Sequence, residues 1–282
     1  MPGEPPGRPA PAPGEERAPY AGVTVVLVTP LSDRGEVPRP DVARLVGSVR
    51  PHVTALLPAL STGEGWALTD RQWQDVVGHV VECADGTPVL AGIQCPTTAE
   101  VAARARLAAR LGATAVVATT PYGPHVTQRE MHDHYAAVAD AAGLPVVVYH
   151  ESVISGNTIE PATLLRICAL PGTAAVKDSA GSPADTRALL AAGPGVPVLQ
   201  GLEDLVSDCG DVDGWVMALA NVEPALCATA FATRPVYDGA VRDACAHHGL
   251  DRPDWYRSLK AELHRRRVIG SARTATPEGS RT

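Results

Sequence analysis

Short apolar runs recur along the chain after residue 20, and most of them start about 25–33 residues apart. Each run is almost continuously apolar and rich in Val, Ala and Leu, as expected for parallel strands that are buried on both faces. The spacing leaves room for a helix between successive strands, which predicts repeated βα units rather than hairpins. The eight predicted strands are residues 24–29, 55–59, 88–92, 115–118, 145–148, 174–176, 197–199 and 214–217.

Helix start signals lie between these runs. Thr69, Thr97 and Thr127 are each followed three residues later by Gln or Glu, the capping-box pattern in which both side chains satisfy free backbone N–H groups. Pro183 directly after Ser182 predicts a further helix start, because proline fits the first helical position. Glycines that precede the next run predict helix ends, and they are Gly112, Gly143 and Gly193.

Eight βα units within about 215 residues predict an α/β fold in the form of a closed (β/α)8 (TIM) barrel. The alternative is an open, doubly wound sheet. However, no G-x-G-x-x-G segment follows the first run, and that segment is the usual signature of nucleotide-binding sheets. About 17 residues separate the starts of the last two runs, so the seventh helix is predicted to be short.

The ends of the chain differ in composition from the barrel region. Residues 1–20 are rich in Pro, Gly and Glu and are predicted to form a disordered tail. Residues 21–234 would form the catalytic barrel, and residues 235–270 a shortened C-terminal helical segment. Residues 271–282 are predicted to be a second disordered tail.

Composition and charge exclude several classes of protein. The chain has 24 basic and 31 acidic residues and a formal net charge of −7, which argues against a nucleic-acid partner. No apolar run approaches the ~20 residues of a membrane span, and the N-terminus has no apolar signal-peptide core. Six scattered cysteines without a C-x-x-C pair indicate reduced thiols. We therefore expect a cytoplasmic protein without a membrane partner.

The histidine and cysteine pattern does not predict a metal site. His132 and His134 form one candidate ligand pair, and His247 and His248 form another. The first pair lies in a predicted helix, where side chains at positions i and i+2 diverge, and no cysteine–histidine spacing typical of zinc sites occurs. We therefore predict no metal.

Lys177 is the strongest candidate for a catalytic residue. It follows an apolar run, and Lys260 is the only other lysine among the 24 basic residues. Barrel enzymes carry their catalytic groups at the C-terminal ends of the strands. A desolvated lysine amine can form a Schiff base with a carbonyl substrate, which arginine cannot do. The alternative is a lysine that merely extends from a strand end to water.

Polar groups at other strand ends could serve the same chemistry. Ser61, Thr62 and Gly63 offer two hydroxyls and the backbone N–H groups of a turn, which suit a small carboxylate. A plain strand–helix turn is the alternative. Tyr149, at the end of the fifth run, could relay a proton, although it could equally be an aromatic residue of the barrel rim.

Taken together, eight short segments carry a family resemblance: VLVTPL (26–31), STGE (61–64), LTDRQ (68–72), PVLAGI (88–93), TTPY (119–122), LPVVVY (144–149), AVKDSAG (175–181) and ALANVEP (218–224). They resemble the dihydrodipicolinate synthase/N-acetylneuraminate lyase family, whose members are class I pyruvate-dependent aldolases on a (β/α)8 barrel. The resemblance covers roughly residues 22–230. The spacing of 28 residues from Tyr149 to Lys177 is also similar to the family's.

The resemblance implies roles for the matching residues. Lys177 would form an imine with pyruvate or a related 2-oxo acid, and Tyr149 would relay the proton. Ser61 and Thr62 would hold the substrate carboxylate, with Thr62 also hydrogen-bonded to Tyr149. The covalent imine would make a separate cofactor unnecessary. The predicted substrate-binding residues are Ser61, Thr62, Gly63, Tyr122, Gly201 and Met217.

The chain also departs from the family pattern. Gly123 stands where the synthase that makes dihydrodipicolinate has a second tyrosine, and Ile154 stands where it has an arginine that grips the aldehyde's carboxylate. We therefore expect a function other than the lysine-pathway synthase. His150 and Glu151 replace the family's usual asparagine and would either meet a hydroxylated or cationic second substrate or point to solvent.

The expected function is a Schiff-base lyase or aldolase that condenses or cleaves pyruvate, or a related 2-oxo acid, with an aldehyde. The alternatives are a dehydratase of a 2-oxo-3-deoxy sugar acid with the same imine chemistry, and a non-catalytic barrel that binds a carboxylate. The resemblance also implies a homo-oligomer. Because 61 residues follow Asn221, fewer than in the family's usual C-terminal segment, both a dimer and a tetramer remain open.

Overall fold

The predicted barrel is present in the computed structural model, which describes residues 20–234 and 238–275. Parallel strands alternate with helices along the described chain. The strands are β1 Gly22–Val26, β2 Ala55–Leu57, β3 Leu90–Ile93, β4 Ala115–Ala118, β5 Val146–His150, β6 Thr173–Asp178, β7 Val198–Gln200 and β8 Gly214–Met217. The helices are α1 Arg39–Val49, α2 Asp70–Cys83, α3 Thr98–Leu111, α4 Gln128–Ala142, α5 Pro161–Cys168, α6 Pro183–Ala191, α7 Pro224–Ala232, α8 Asp238–His247 and α9 Trp255–Arg265.

The sheet closes on itself. Its strands pair in parallel in the order β2-β1-β8-β7-β6-β5-β4-β3. A bridge between Leu56 and Val89 joins β2 to β3, and the Leu56 N–H donates to the Pro88 carbonyl at 2.9 Å. The fold is therefore a (β/α)8 barrel, as predicted. A short 3₁₀ turn, Glu203–Leu205, lies between β7 and β8, where a short seventh helix was expected.

Local capping chemistry determines where several helices begin. The Thr69, Thr97 and Thr127 side chains each accept the backbone N–H three residues later, and the Gln or Glu at that position accepts the threonine's own N–H. All three predicted capping boxes are thus confirmed. Pro183 is the first residue of α6, as predicted, and the Ser182 side chain accepts the Asp185 N–H. Gly112 and Gly143 end their helices in the left-handed conformation.

Two strands extend further than their apolar runs indicated. β5 was expected to end at residue 148 and β6 at residue 176, but they continue to His150 and Asp178. The reason is that the two strands pair with each other beyond the apolar part, with Tyr149 opposite Lys177 and His150 opposite Asp178. The polar ends are thereby held as regular sheet.

Successive side chains of each strand point to opposite faces of the sheet and so divide the hydrophobic core into two layers. Val147 and Tyr149 of β5 belong to a cluster inside the barrel. Val146 and Val148 of the same strand pack between the barrel and the helices. Because successive side chains of a strand point to opposite faces, this alternation decides which polar strand-end residues enter the barrel mouth.

The C-terminal segment packs against the barrel mouth. Lys260 of α9 is fully buried, and its Nζ donates to Glu64 Oε1 at 2.5 Å and to the Arg273 carbonyl at 2.8 Å. Ser271 donates to Asp33 at 2.8 Å. Residues 271–275 are therefore packed rather than part of a loose tail, because the buried ammonium needs the carbonyl of residue 273 as an acceptor.

The other tail predictions concern residues at the limits of the described chain. Tyr20, which was assigned to the N-terminal tail, is 7% exposed and joins the interior cluster. Residues 1–19 and 276–282, and the junction at residues 235–237, lie outside the described residues. Within the described part, no helix is long and apolar enough to span a membrane.

Replacing Lys260 with Met tests the contribution of the buried ion pair. We expect the free energy of unfolding to fall by ~3–5 kcal/mol, because the variant removes the positive charge that faces a fully buried carboxylate. Urea unfolding followed by tryptophan fluorescence measures the loss.

Arg39→Met provides the matched control. Arg39 Nε donates to Glu82 at 2.7 Å, but the two side chains are 58% and 55% exposed, and exposed pairs of this kind contribute about 0–1 kcal/mol. Equal losses in the two variants would contradict a structural role for the Lys260–Glu64 pair.

Candidate active site

A cavity of about 400 Å³ lies at the C-terminal ends of the barrel strands. This is the end at which barrel enzymes carry their catalytic groups. Residues of the C-terminal segment, including Leu250 and Trp255, complete one of its walls. The predicted site residues that line the cavity are Ser61, Thr62, Tyr149, Lys177 and Gly201.

Lys177 is held at the base of this cavity. The residue is 3% exposed, and its Nζ lies 3.7 Å from the centroid of the Tyr149 ring. Nζ also donates to Ser179 Oγ at 2.9 Å. The register of β5 and β6 produces this arrangement, because it sets Tyr149 directly opposite Lys177 on the inner face. The amine is thus fixed beside a phenol and a hydroxyl.

Gly201 leaves the space that the lysine amine occupies. A Cβ atom at this position would lie 2.7 Å from Lys177 Nζ and would also meet Ser179 Oγ. The Gly201 N–H donates to the Asp178 carbonyl at 2.8 Å, so the backbone is held close to β6. Glycine is therefore required here for a close approach rather than for its turn geometry.

A chain of hydrogen bonds reaches Tyr149 from across the barrel. Gln94 Nε2 donates to Ser61 Oγ at 3.0 Å, and Ser61 Oγ lies 3.2 Å from the Tyr149 hydroxyl. The family resemblance implied that Thr62 contacts Tyr149, but in this structure Thr62 Oγ1 is bonded to Trp255 instead. Ser61 makes the contact, since the 3₁₀ turn Ser61–Gly63 directs successive side chains in different directions.

Thr62 is oriented by the C-terminal segment instead. Trp255 Nε1 donates to Thr62 Oγ1 at 3.2 Å. Because the indole N–H is only a donor, the hydroxyl accepts it and keeps its own hydrogen for another acceptor. Two hydroxyls, those of Ser61 and Thr62, thus line the same side of the cavity.

Three predicted substrate-binding residues lie outside the described lining of this cavity, namely Gly63, Tyr122 and Met217. The Gly63 carbonyl accepts a hydrogen bond of 2.7 Å from the Thr29 hydroxyl. This bond holds the Ser61–Gly63 turn against the segment that follows β1. The Met217 side chain packs in the layer between barrel and helices, while its neighbour Val216 faces the cavity. Burial raises the pKa of Tyr122, and its hydroxyl is enclosed.

Glu203 is a cavity residue that the sequence analysis missed. Its Oε1 accepts the N–H groups of Ala218 and Leu219, the latter at 3.2 Å. Burial raises the pKa of this carboxyl despite those hydrogen bonds and the nearby Lys177 charge. Glu203 could have been identified from the sequence by its position, because it lies two residues after Gly201 and just beyond the seventh predicted strand.

The two residues that depart from the family pattern, Gly123 and Ile154, differ in their structural settings. Gly123 has a φ of +118°, which a tyrosine at that position would adopt only with strain. Ile154 lines the cavity as an apolar residue. Glu151 also contributes to the lining, and its carboxylate accepts the N–H groups of Ile154 and Ser155 at 2.7 and 3.1 Å. The loop after β5 is thus shaped around Glu151.

The histidines singled out for metal binding have other partners. His134 is 1% exposed, and its two ring nitrogens lie 2.9 Å from Thr98 Oγ1 and 3.0 Å from the Thr119 carbonyl. Burial lowers the pKa of His134 to about 4. His248 Nε2 lies 3.1 Å from Glu223. Within residues 20–234 and 238–275, no group of three potential ligands is arranged around a metal position.

The whole barrel region matches one known family. The family profile described as "Dihydrodipicolinate synthetase family" matches residues 19–248.

The chain belongs to the dihydrodipicolinate synthetase family.

Individual relatives agree with this family assignment. The 4-hydroxy-tetrahydrodipicolinate synthase of Thermomicrobium roseum is 36% identical over 233 residues, which cover 81% of this chain and 76% of the relative. The crystal structure of chloride-inhibited dihydrodipicolinate synthase from Acinetobacter baumannii complexed with pyruvate has a TM-score of 0.83 and 25% identity, with 93% and 94% of the two chains covered.

A further solved structure supports the fold. The sialic acid aldolase of Ruminococcus gnavus has a TM-score of 0.82 at 20% identity, with 93% and 91% of the two chains covered. The resemblance seen in the sequence motifs is thereby confirmed, and the protein is a lyase of the class I aldolase type. The expectation that it differs from the lysine-pathway synthase gains no support, because the relatives carry that synthase's name.

Gly201→Ala tests whether this glycine makes room for the amine. We expect the barrel to fold, because the atoms that meet the new methyl group are the mobile ends of two side chains. Displacing the amine should lower the rate of adduct formation with pyruvate at Lys177 by about 10²-fold. Borohydride reduction and mass spectrometry measure that rate.

Gly47→Ala is the control for this prediction, because nothing lies within 4 Å of a Cβ atom at that position of α1. Its adduct rate should match that of the unaltered protein. An unchanged rate in Gly201→Ala would contradict the close-approach interpretation.

Proposed function

We propose that the protein condenses or cleaves a 2-oxo acid, with pyruvate as the first candidate, through an imine on Lys177. The observation that carries the proposal is the buried amine, 3.7 Å from the Tyr149 ring centroid, in a cavity that also presents the Ser61 and Thr62 hydroxyls. A barrel that only binds a carboxylate has no need of a buried amine at this point. The covalent imine replaces a separate cofactor.

The chemistry starts at the lysine nitrogen. In the neutral amine, the Nζ lone pair attacks the 2-oxo carbon and gives a carbinolamine. Loss of water then forms the imine, and the water oxygen leaves with two protons. Tyr149 and Ser61 form a continuous path for those protons, because Ser61 Oγ lies 3.2 Å from the tyrosine hydroxyl. The Ser179 hydroxyl, 2.9 Å from Nζ, steadies the amine before attack.

The imine then serves as an electron sink. A proton moves from the carbon beside it to the Tyr149–Ser61 path and leaves an enamine. The enamine attacks the aldehyde carbon, and as the C–C bond forms the aldehyde C=O π bond opens and its oxygen takes a proton from the same path to become a hydroxyl. Cleavage runs the same steps in reverse. The carboxylate of the 2-oxo acid accepts hydrogen bonds from the Ser61 and Thr62 hydroxyls in this proposal, which leaves the reacting carbon next to Nζ.

The aldehyde partner depends on the far side of the cavity. The relatives named 4-hydroxy-tetrahydrodipicolinate synthase make that reaction a candidate. In contrast, the cavity lining contains the apolar Ile154 together with the carboxylates of Glu151 and Asp204. Carboxylates attract cationic or hydroxylated groups and repel a second carboxylate. A hydroxylated aldehyde is therefore the second candidate.

Dehydration of a 2-oxo-3-deoxy sugar acid is a further possible outcome of the same imine, and Glu203 favours it. A carboxyl group whose pKa is raised by burial retains its proton more readily and can donate it to a leaving hydroxyl. The enamine would expel that hydroxyl as water, with the proton supplied by Glu203.

Borohydride trapping with pyruvate tests the imine. We expect a reduced pyruvyl adduct on the peptide that contains Lys177, and none in Lys177→Ala. Tyr149→Phe should still yield some adduct but lose about 10²–10⁴-fold in turnover, because the phenol moves protons and does not form the covalent bond. Peptide mass spectrometry and a pyruvate-release assay measure the two effects. Absence of an adduct with every 2-oxo acid tried would leave only the binding barrel.

Ile154→Arg tests the aldehyde preference. A guanidinium at this lining position should raise kcat/KM for a carboxylate-bearing aldehyde by about 10-fold or more relative to a hydroxylated aldehyde such as glyceraldehyde. Ala162→Arg is the matched control, because Ala162 is exposed at the start of α5 and is not among the residues that line this cavity. If both variants changed the ratio equally, general charge rather than a contact at residue 154 would explain the effect.

A further inference from the structure

A second cavity lies on the outer side of the catalytic strands. It has a volume of about 340 Å³ and is enclosed by α5, α6 and the ends of β5 and β6. This volume lies in the range of small-molecule sites. Its apolar walls are formed by residues of both helices and of the loop before α5, including Ile159, Leu164 and Leu189.

A buried histidine and aspartate form the inner end of this cavity. His150 Nδ1 lies 3.1 Å from Asp178 Oδ1, and the Thr186 hydroxyl donates to Asp178 Oδ2 at 2.6 Å. Burial acts to raise the pKa of Asp178, but the hydrogen bonds from His150 and Thr186 outweigh it and hold the pKa below its ordinary value. Asp178 is thus a carboxylate, and the histidine Nδ1–H is the donor.

The other ring nitrogen of His150 has no assigned role. His150 is 9% exposed, and its Nε2 is enclosed without a hydrogen-bond partner among the described residues. Because Nδ1 donates to Asp178, the corresponding neutral tautomer has its lone pair on Nε2. A buried polar atom of this kind is costly unless something donates to it. The Lys177 chemistry does not use it, because His150 faces away from the barrel interior.

The charges around the cavity define the chemistry of its occupant. Glu151 and Asp178 contribute carboxylates to the lining, and Asp185 adds another at the exposed start of α6. In the described lining no lysine or arginine balances them. A carboxylate or phosphate ligand would be repelled, whereas an ammonium group would be attracted and could donate to His150 Nε2.

We propose that this cavity is a binding site for a small aliphatic primary amine, whose ammonium group donates to His150 Nε2 and whose hydrocarbon part packs between α5 and α6. The occupant contacts the His150–Asp178 pair, which directly follows the Tyr149–Lys177 pair on the same two strands. The site is therefore placed to influence the catalytic pair from outside the barrel, although its binding does not depend on the Lys177 reaction.

Titration of the full chain with 3-methylbutylamine, without any 2-oxo acid, tests the proposal. Calorimetry should detect saturable binding, and the His150 Nε2 resonance in a histidine-labelled sample should shift on addition. The acid 4-methylpentanoate, which carries a carboxylate on the same 3-methylbutyl chain, should bind at least 10-fold more weakly. Absence of amine binding, or tighter binding of the acid, would overturn the proposal.

Two tryptophan variants of α6 locate the binding. Ala188 lines the cavity, whereas Ala184 lies on the same helix, is also exposed and is not among the cavity residues. Ala188→Trp should fill the cavity and weaken amine binding at least 10-fold, while Ala184→Trp should bind like the unaltered protein. Circular dichroism checks that both variants fold. Equal binding by the two variants would place the amine elsewhere, for example in the acidic active-site cavity, and would overturn the assignment.

Discussion

The parallel register of β5 and β6 is the constraint on which the site depends. It sets Tyr149 opposite Lys177 and, one step later, His150 opposite Asp178. The Ser179 N–H, which donates to the His150 carbonyl at 2.8 Å, continues the pairing beyond the strands. A slip of one residue would turn the amine toward the helices. The reactive pair is therefore positioned by backbone hydrogen bonds rather than by side-chain contacts alone.

The same alternation gives two adjacent pairs of residues different surroundings. Inside the barrel, the lysine amine faces hydroxyl groups and a 400 Å³ cavity. Outside it, a histidine–aspartate pair faces apolar side chains of α5 and α6. Because both pairs belong to the same two strands, the outer cavity lies directly behind the Tyr149–Lys177 pair. Glu151 contributes to the lining of both cavities.

The C-terminal segment forms part of the wall of the candidate active site. Trp255 orients Thr62, and Lys260 is ion-paired with Glu64 directly behind the same turn. Removing charges from water is costly, so a fully buried pair persists only where the surrounding groups satisfy it. Here the carbonyl of Arg273 supplies a further acceptor. The turn that lines the cavity is thereby held from two sides by residues almost 200 positions away.

Much of the fold and part of the site could be predicted from the sequence, because the signals concerned are local. Apolar runs mark buried strands, and capping boxes satisfy backbone groups within four residues, so the barrel and the helix starts at Thr69, Thr97 and Thr127 were predicted correctly. Lys177 and Tyr149 were expected to lie at one mouth of the barrel because the strand ends meet there, and the two residues are adjacent in the structure. The motifs also led to the correct family.

The sequence by itself thus determined the barrel, its helix starts and the pairing of an amine with a phenol. Only the tertiary structure decided that Ser61 rather than Thr62 contacts Tyr149, that Met217 faces the helices, and that Glu203 enters the cavity. These outcomes depend on side-chain direction and on contacts between distant segments. Composition and short-range periodicity do not encode such contacts, because they arise only when the closed sheet brings the strand ends together.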